Sequence, residues 1–390
     1  MTKKLYWESP YETNFSAKVA SIVEDGVILD QTLFYPESGN QLSDHGILKI
    51  GEHEFKIDNA SKRGDDIIHH ISNNFVHRIS VGDEIQGEID WKYRYGLMRA
   101  HSSQHVFSAV LKSKCDIDTV RANLYFEEVF LQWSQKVDVH KLKEILYDVN
   151  TICTTKDLKI TSRIVPQEEA KTLALKIRSN IPKEPKVRLM GIQNLDLVCC
   201  GGTHVRTTNE IGSLFIFDFK KGNEIKYFVG NKANSMISNI NIDLMSVVNE
   251  LNSPIDKFHE NVNKRLDSLK NLQFEQKVLS EKLLELTSKL PSKMINTVPL
   301  FYIDFDVDIK TLNKLLDLFP ENALLVLDIG NYKIRVLSKH EKIDANQILQ
   351  NLIDIYGGKG GGNPRSAQAV LNEMPENLLT KVEHMIIKLV

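Results

Sequence analysis

The chain has little that would let it enter a bilayer or staple itself together. No apolar run approaches the roughly 20 residues that span a membrane, and the opening stretch MTKKLYWESPYETNF has no signal-peptide core. The expected setting is the cytoplasm, with no membrane partner. Cysteines number four in 390 residues, and two of them, Cys199 and Cys200, are adjacent. That excludes a disulfide framework and suits a reducing compartment in which one thiolate serves a metal. Neither charge sign dominates: 49 Lys and Arg stand against 51 Asp and Glu. A global basic signature for nucleic acid is therefore absent, and only local basic patches remain open. HExxH is missing, which disfavours a zincin-type protease with a built-in glutamate base. No Ser-His-Asp set is legible, so no covalent intermediate is expected.

What is present is ordinary in bulk and specific in detail. The composition, 42% hydrophobic and 26% charged, is that of a globular protein, and 390 residues exceed one compact core. Two short stretches stand out. Arg99-Ala100-His101-Ser102-Ser103-Gln104-His105 carries two histidines four positions apart, on one face if helical. Cys199-Cys200-Gly201-Gly202-Thr203-His204 carries a cysteine and a histidine at the same spacing, with glycines that suit a tight loop. Either pair alone is a weak signal. Together, His101, His105, Cys200 and His204 can complete a four-coordinate zinc site, or a site with an open position.

Residues 1–90 read as short alternating strands, predicting a small barrel or closed sheet. Within them lies DQTLFYPESGNQLSDHG (30–46), a bend-rich stretch able to turn backbone N–H groups toward a ligand. Residues 91–114 predict the helix with the histidine pair, 119–134 strands, and 139–152 and 166–178 helices. Together these form an α+β module closing on the metal. Residues 255–290 predict one long amphipathic helix, bracketed by Pro254 and Pro291, with leucines at threes and fours. A strand, a hairpin around Gly330-Asn331 and a helix complete an α/β unit over 299–390. Its glycine run Gly357 to Gly362 predicts exposed backbone N–H groups beside Lys359 and Arg365, suited to a phosphate. The spacing is not that of a P-loop.

These motifs together resemble the AlaX-type alanyl-tRNA editing proteins, and the editing and C-terminal domains of alanyl-tRNA synthetase. DQTLFYPESGNQLSDHG is similar to the family's DQTxFYxESGGQxxDxG. HSSQH stands where the family has HxxxH. CGGTH, followed by Asn209-Glu210-Ile211-Gly212, is similar to CGGTHxxxTxxIG, and GGKGGGNPRSAQ to the glycine-rich signature of the C-terminal domain. Asn40 replaces a usual glycine and Gln104 a usual threonine.

The resemblance implies a zinc-dependent hydrolase that removes serine or glycine from mischarged tRNA(Ala). It also implies an editor acting in trans, since the chain opens on the editing module. A pocket that accepts alanine rejects glycine and serine poorly, so a second, hydrolytic site is needed. A hydroxyl or amide placed to bond serine's hydroxyl would exclude alanine, and Thr32 and Gln41 are the candidates, with Asp44, Gly201, Gly202 and Thr203 completing the pocket. Gly358, Lys359, Gly360, Gly361, Gly362 and Arg365 are the candidate tRNA contacts. The expected α+β architecture is a β-barrel-like domain over 1–90, a zinc-binding editing domain over 91–235, a helical or coiled-coil arm over 236–295, and an α/β domain over 296–390 that binds tRNA and pairs two copies into a homodimer. Two other readings stay open: a non-catalytic tRNA-binding protein with a structural zinc, and a zinc hydrolase of small esters or amides.

Overall fold

The computed structural model describes residues 1–71 and 78–389. The chain divides into two compact units, Met1–Val247 and Val248–Val390. Both mix helices and sheets, as the sequence patterns predict. No helix among the described residues is long and apolar enough to cross a membrane.

The first unit begins with a seven-stranded sheet. Its order is His53–Ile57, Gly46–Ile50, Glu84–Ile89, Asn14–Val23, Gly26–Leu29, Asp66–His70, Ala60–Arg63. Asn14–Val23 alternates exposed and buried residues along much of its length, as a strand covered on one face must. Val19, Leu29, Leu48, Ile57 and Ile85 fill the core beneath. The ladder ends at His53–Ile57 on one side and at Ala60–Arg63 on the other, with no ladder between these two strands among the described residues. Among the described residues, then, the hydrogen bonding forms an open ladder and does not by itself close the barrel that the short strands predict.

Thr32 belongs to this core. It is fully buried, and its hydroxyl bonds His69 Nε2 at 2.8 Å and accepts the Phe34 N–H at 3.0 Å. Burial holds His69 down to about 4. A base whose folded pKa lies below its unfolded value is neutral in the fold. Its contribution is complete above about pH 6.5 and is lost as pH falls toward the folded value. We expect about 3 kcal/mol of stability to disappear between pH 6.5 and 4 through His69. Urea unfolding across that range should show it, and His69→Gln should flatten the acid limb. An equally steep limb in His69→Gln would remove His69 as its source.

The rest of the first unit is built around the 25-residue helix Trp91–Cys115. Asp90 caps it by accepting the Tyr93 N–H at 3.0 Å, and Asp116 ends it in the left-handed conformation. It is buried on nearly every face, including Arg94 and the run Ala100–Leu111. A four-stranded sheet, in the order Thr119–Tyr125, Glu128–Trp133, Glu224–Val229, Leu214–Lys220, covers one side. The helix Val139–Thr154 packs on another. Gly96 lets the chain pass the Phe126 ring, which an added Cβ would meet at 2.4 Å. A three-stranded sheet, Ile160–Pro166, Lys186–Ile192 and Asp196–Cys199, carries the Cys-Gly-Gly loop at its end.

The helix expected over 166–178 stops after Gln167–Thr172. Arg178 explains the early stop. Its N–H bonds Leu197 O at 2.9 Å and its guanidinium pairs with Asp196, drawing the chain onto the sheet.

In the second unit the sheet order is Lys293–Ile295, Val298–Ile303, Leu324–Gly330, Lys333–Ser338, Ser366–Leu371, Gly358–Asn363. The single helix expected over 255–290 is a 3₁₀ turn, Ile255–Lys257, followed by a 32-residue helix, Phe258–Lys289, about 50 Å long. The helix Gly230–Glu250 precedes it as a separate element. Of the leucine stripe, Leu266, Leu269, Leu272, Leu279, Leu283 and Leu286 are exposed, while Leu284 packs against Phe301, Ile303 and Leu312.

The glycine run also departs from expectation. Gly358–Asn363 is an edge strand, not a loop, in register with Ser366–Leu371. The missing side chains permit that pairing: a Cβ on Gly360 or Gly362 would lie 2.4 Å or less from atoms of the facing strand. Half of the run's backbone groups are thus committed to the sheet, and those on the outer edge stay unpaired by the ladder. Lys359 and Arg365 are exposed, and Arg365 donates to Lys339 O at 2.7 Å.

Candidate metal centre

The central helix presents His101 and His105 one turn apart, with stacked rings 4.9 Å between centroids. The chain after Asp196–Cys199 folds back over them. Cys200 Sγ lies 3.4 Å from His101 Nε2 and 3.3 Å from His204 Nε2. Ligand atoms of His101, His105, Cys200 and His204 all lie within 4.8 Å of one another. Adjacent residues of an extended chain point to opposite faces. Cys199 accordingly packs beside the separate core of Val187 and Leu189, and its N–H bonds Ser179 Oγ at 2.8 Å.

Neighbouring polar groups set how the imidazoles present themselves. Gln41 Oε1 sits 2.7 Å from His101 Nδ1 and also accepts the Thr203 N–H, while Gln41 Nε2 donates to Thr203 Oγ1 at 2.9 Å. With Nδ1 donating to the amide oxygen, His101 Nε2 keeps its lone pair toward Cys200. Ser102 Oγ lies 3.2 Å from His204 Nδ1 and has the same effect there. Gly202 is needed at this point, because a Cβ would meet the His101 ring at 2.2 Å and Gln41 at 2.8 Å.

The residues fit a metal ion on three counts. His105 Nε2 is buried without a hydrogen-bond partner among the described residues. Burial first, with the Arg188 charge adding to it, holds His101 at about 3. Burial and then neighbouring positive charges hold His105 and His204 well below the ordinary imidazole value, so all three keep free lone pairs at neutral pH. Burial raises the Cys200 thiol, so binding a metal there would release its proton. Three imidazoles and one thiolate suit zinc.

Gln41→Leu is expected to weaken metal affinity about 10–100-fold, since it removes the group that orients His101. Chelator competition measures this, and an unchanged affinity would sink the orienting role.

The other candidates divide. Gln41, Gly202 and Thr203 touch the cluster or its loop, and Gly201 O accepts from Trp7 Nε1 at 2.7 Å. Thr32 directs its hydroxyl to His69 and Phe34, not to the cluster. Asp44 is fully buried in an ion pair with Arg94 and accepts the Tyr35 N–H. Asn40 has φ +64° beside Gly39 at +58°, a left-handed turn that asparagine tolerates better than most residues. Gln104 bonds Ser108 Oγ, away from the metal donors.

Sequence reading missed Arg188, whose Nη1 donates to both Cys200 O and Gly202 O, and Trp7 beneath the same loop. It also missed Ser102 and Arg94. Only Ser102, between the two histidines, carried a local signal.

The chain is similar to known proteins along most of its length. The family model described as class II (A) tRNA synthetases matches residues 5–93, and the DHHA1 domain model matches residues 301–389. The alanyl-tRNA editing protein AlaX-L of Pyrococcus horikoshii is 27% identical over 97% of this chain and 96% of its own length. Alanine–tRNA ligases of Methanoregula boonei and Caldivirga maquilingensis are 27% and 26% identical over 94% and 95% of this chain, which spans 41% and 42% of their lengths. The C-Ala domain of Aquifex aeolicus alanyl-tRNA synthetase aligns with 24% of this chain at 18% identity and a TM-score of 0.20, too low to inform the fold. Along 97% of its length, then, this chain resembles the AlaX-type alanyl-tRNA editing proteins of the long form, and the matching two-fifths of alanine–tRNA ligases.

Proposed function

We propose that the chain hydrolyses the ester joining serine or glycine to tRNA(Ala), acting in trans with zinc held by His101, His105, Cys200 and His204. The observation that carries this is the gathering of those four donors, with His101 and His204 oriented by Gln41 and Ser102. The likeness to AlaX-L over nearly both whole chains supports the substrate class. A bound zinc supplies Lewis acidity and lowers the pKa of coordinated water. Gln41 holds His101 and Thr203 in place, and Arg188 grips the Cys-Gly-Gly loop from behind. Through the same amide Gln41 can read a substrate hydroxyl. Thr32, whose hydroxyl is taken up by His69 and the Phe34 N–H, would act on selectivity only indirectly, through the packing of the 30–46 bend.

A zinc-binding editing domain over 91–235 follows the strands of 1–90. A helical arm over 236–295 joins it in sequence to a C-terminal domain over 296–390. There the outer edge of Gly358–Asn363, with Lys359 and Arg365, contacts tRNA, and the exposed leucines of the long helix pair two copies.

Four protein donors would also complete a closed tetrahedron, which favours a second reading: a structural zinc in a non-catalytic tRNA-binding protein. One experiment separates them. Serine-, glycine- and alanine-charged tRNA(Ala) are incubated with the metal-loaded and chelated chain. Release of serine or glycine well above that of alanine, lost on chelation while the fold survives, is the expected result. No release above buffer, with tRNA still bound, would establish the second reading.

A further inference from the structure

Behind the Cys-Gly-Gly loop lies a cavity of about 270 Å³, bordered by His204, Arg188, Arg206 and Tyr11. That is near the roughly 300 Å³ lower end of small-molecule sites. It opens beside a metal-donor side chain, yet none of the roles above uses it. Arg188 has five N–H donors, and among the described residues only Nη1 is hydrogen-bonded, to Cys200 O and Gly202 O. No ion pair among the described residues includes Arg188 or Arg206. Two guanidinium groups thus border one cavity, neither of them ion-paired with a carboxylate among the described residues. Arg206 Cζ lies 3.9 Å from the centroid of the Tyr11 ring. That ring is itself fixed, because its hydroxyl donates to Glu210 Oε2 and accepts the Arg206 N–H. The pair forms a flat cationic platform of the kind on which nucleobases stack. On the acidic side the cavity meets Glu8, already paired with Lys3, and Glu12, whose carboxylate has no partner among the described residues.

We propose that this cavity receives the 3′-terminal nucleotide of the tRNA acceptor strand. The free donors of Arg188 take its phosphodiester, the base stacks on the Arg206–Tyr11 platform, and the ribose that bears the amino acid lies toward His204. The inference rests on the hydrolase reading for its ligand and on the cavity for its place.

The test uses the full metal-loaded chain, with adenosine 5′-monophosphate and inorganic phosphate as separate calorimetric probes. The wild type should bind the nucleotide more tightly than phosphate. Arg206→Gln should weaken nucleotide binding about tenfold and erase its advantage over phosphate, as loss of a stacking contact predicts. The same variant should raise the KM for serine-charged tRNA by a similar factor and leave kcat nearly unchanged. Glu12→Gln removes a repelling carboxylate and should tighten both probes, a gain that misfolding cannot imitate. Lys232→Gln, a surface cation outside the cavity, should change nothing. Equal binding of phosphate and nucleotide by the wild type, or unchanged nucleotide binding in both cavity variants, overturns the proposal. If the wild type hydrolyses no charged tRNA, the hydrolase reading fails, and the nucleotide measurements still decide the cavity.

Discussion

Replacing Cys200 by alanine is expected to strip the chain of its metal, while replacing the adjacent Cys199 leaves the metal in place. Cys200 Sγ is within 3.4 Å of two imidazole nitrogens, and Cys199 packs beside another core on the opposite face of the strand. Losing a ligand outright should cost more than the roughly 10–100-fold of a disturbed orienting group. We therefore expect no metal to copurify with Cys200→Ala and deacylation to fall by at least about 100-fold. Cobalt(II) substitution gives an independent readout, because a thiolate-to-metal absorption band should appear in wild type and Cys199→Ala and vanish in Cys200→Ala. Retention of metal in Cys200→Ala with loss in Cys199→Ala would reverse the assignment.

Breaking the buried pair of Asp44 and Arg94 should have the largest effect on stability. Both side chains are fully buried, and Arg94 Nε donates to Asp44 Oδ1 at 2.6 Å. Arg94 also donates to Pro10 O and Leu33 O, and Asp44 accepts the Tyr35 N–H. The central helix, the N-terminal loop and the bend of residues 30–46 thus meet at one guanidinium. Removing one partner leaves the other charge buried and alone, which costs about 3–5 kcal/mol. Asp44→Ala and Arg94→Leu should each lose about that much in urea unfolding. An apolar double variant, Asp44→Leu with Arg94→Met, should recover part of the loss, since the remaining charge goes too. Should Asp44→Ala leave stability intact and alter only the choice between serine and alanine, Asp44 would belong to the substrate pocket after all.

These two cases mark what a linear reading can and cannot reach. The spacing of His101 and His105 is a helical fact, and the helix Trp91–Cys115 begins and ends close to where the pattern puts it. Cys200 and His204 are brought to the histidines by a loop whose glycines were legible as such. The mixed α+β character and the hairpin around Gly330-Asn331 were also readable, because alternation and turn chemistry are local.

Where a residue looked alike in sequence, its surroundings separated it from its neighbours. Thr32, Gln41 and Asp44 lie in one bend, yet one bonds His69, one bonds His101, and one pairs with Arg94. The glycine run became an edge strand because a facing strand, Ser366–Leu371, was there to pair with it. Amphipathic spacing alone could not say whether a partner covers the leucines of Phe258–Lys289, and within the second unit most of them stay uncovered.

By itself, then, the sequence determined the donor types, their spacing on each element and the elements' character, since these follow from backbone periodicity and side-chain chemistry over a few residues. Only the tertiary structure decided that Gln41 orients His101, that Arg188 and Trp7 hold the Cys-Gly-Gly loop, and that Asp44 answers Arg94. Those contacts join residues 14 to 194 positions apart. At that range the pairing is set by which buried polar groups meet as the cores close, and local patterns carry no trace of it.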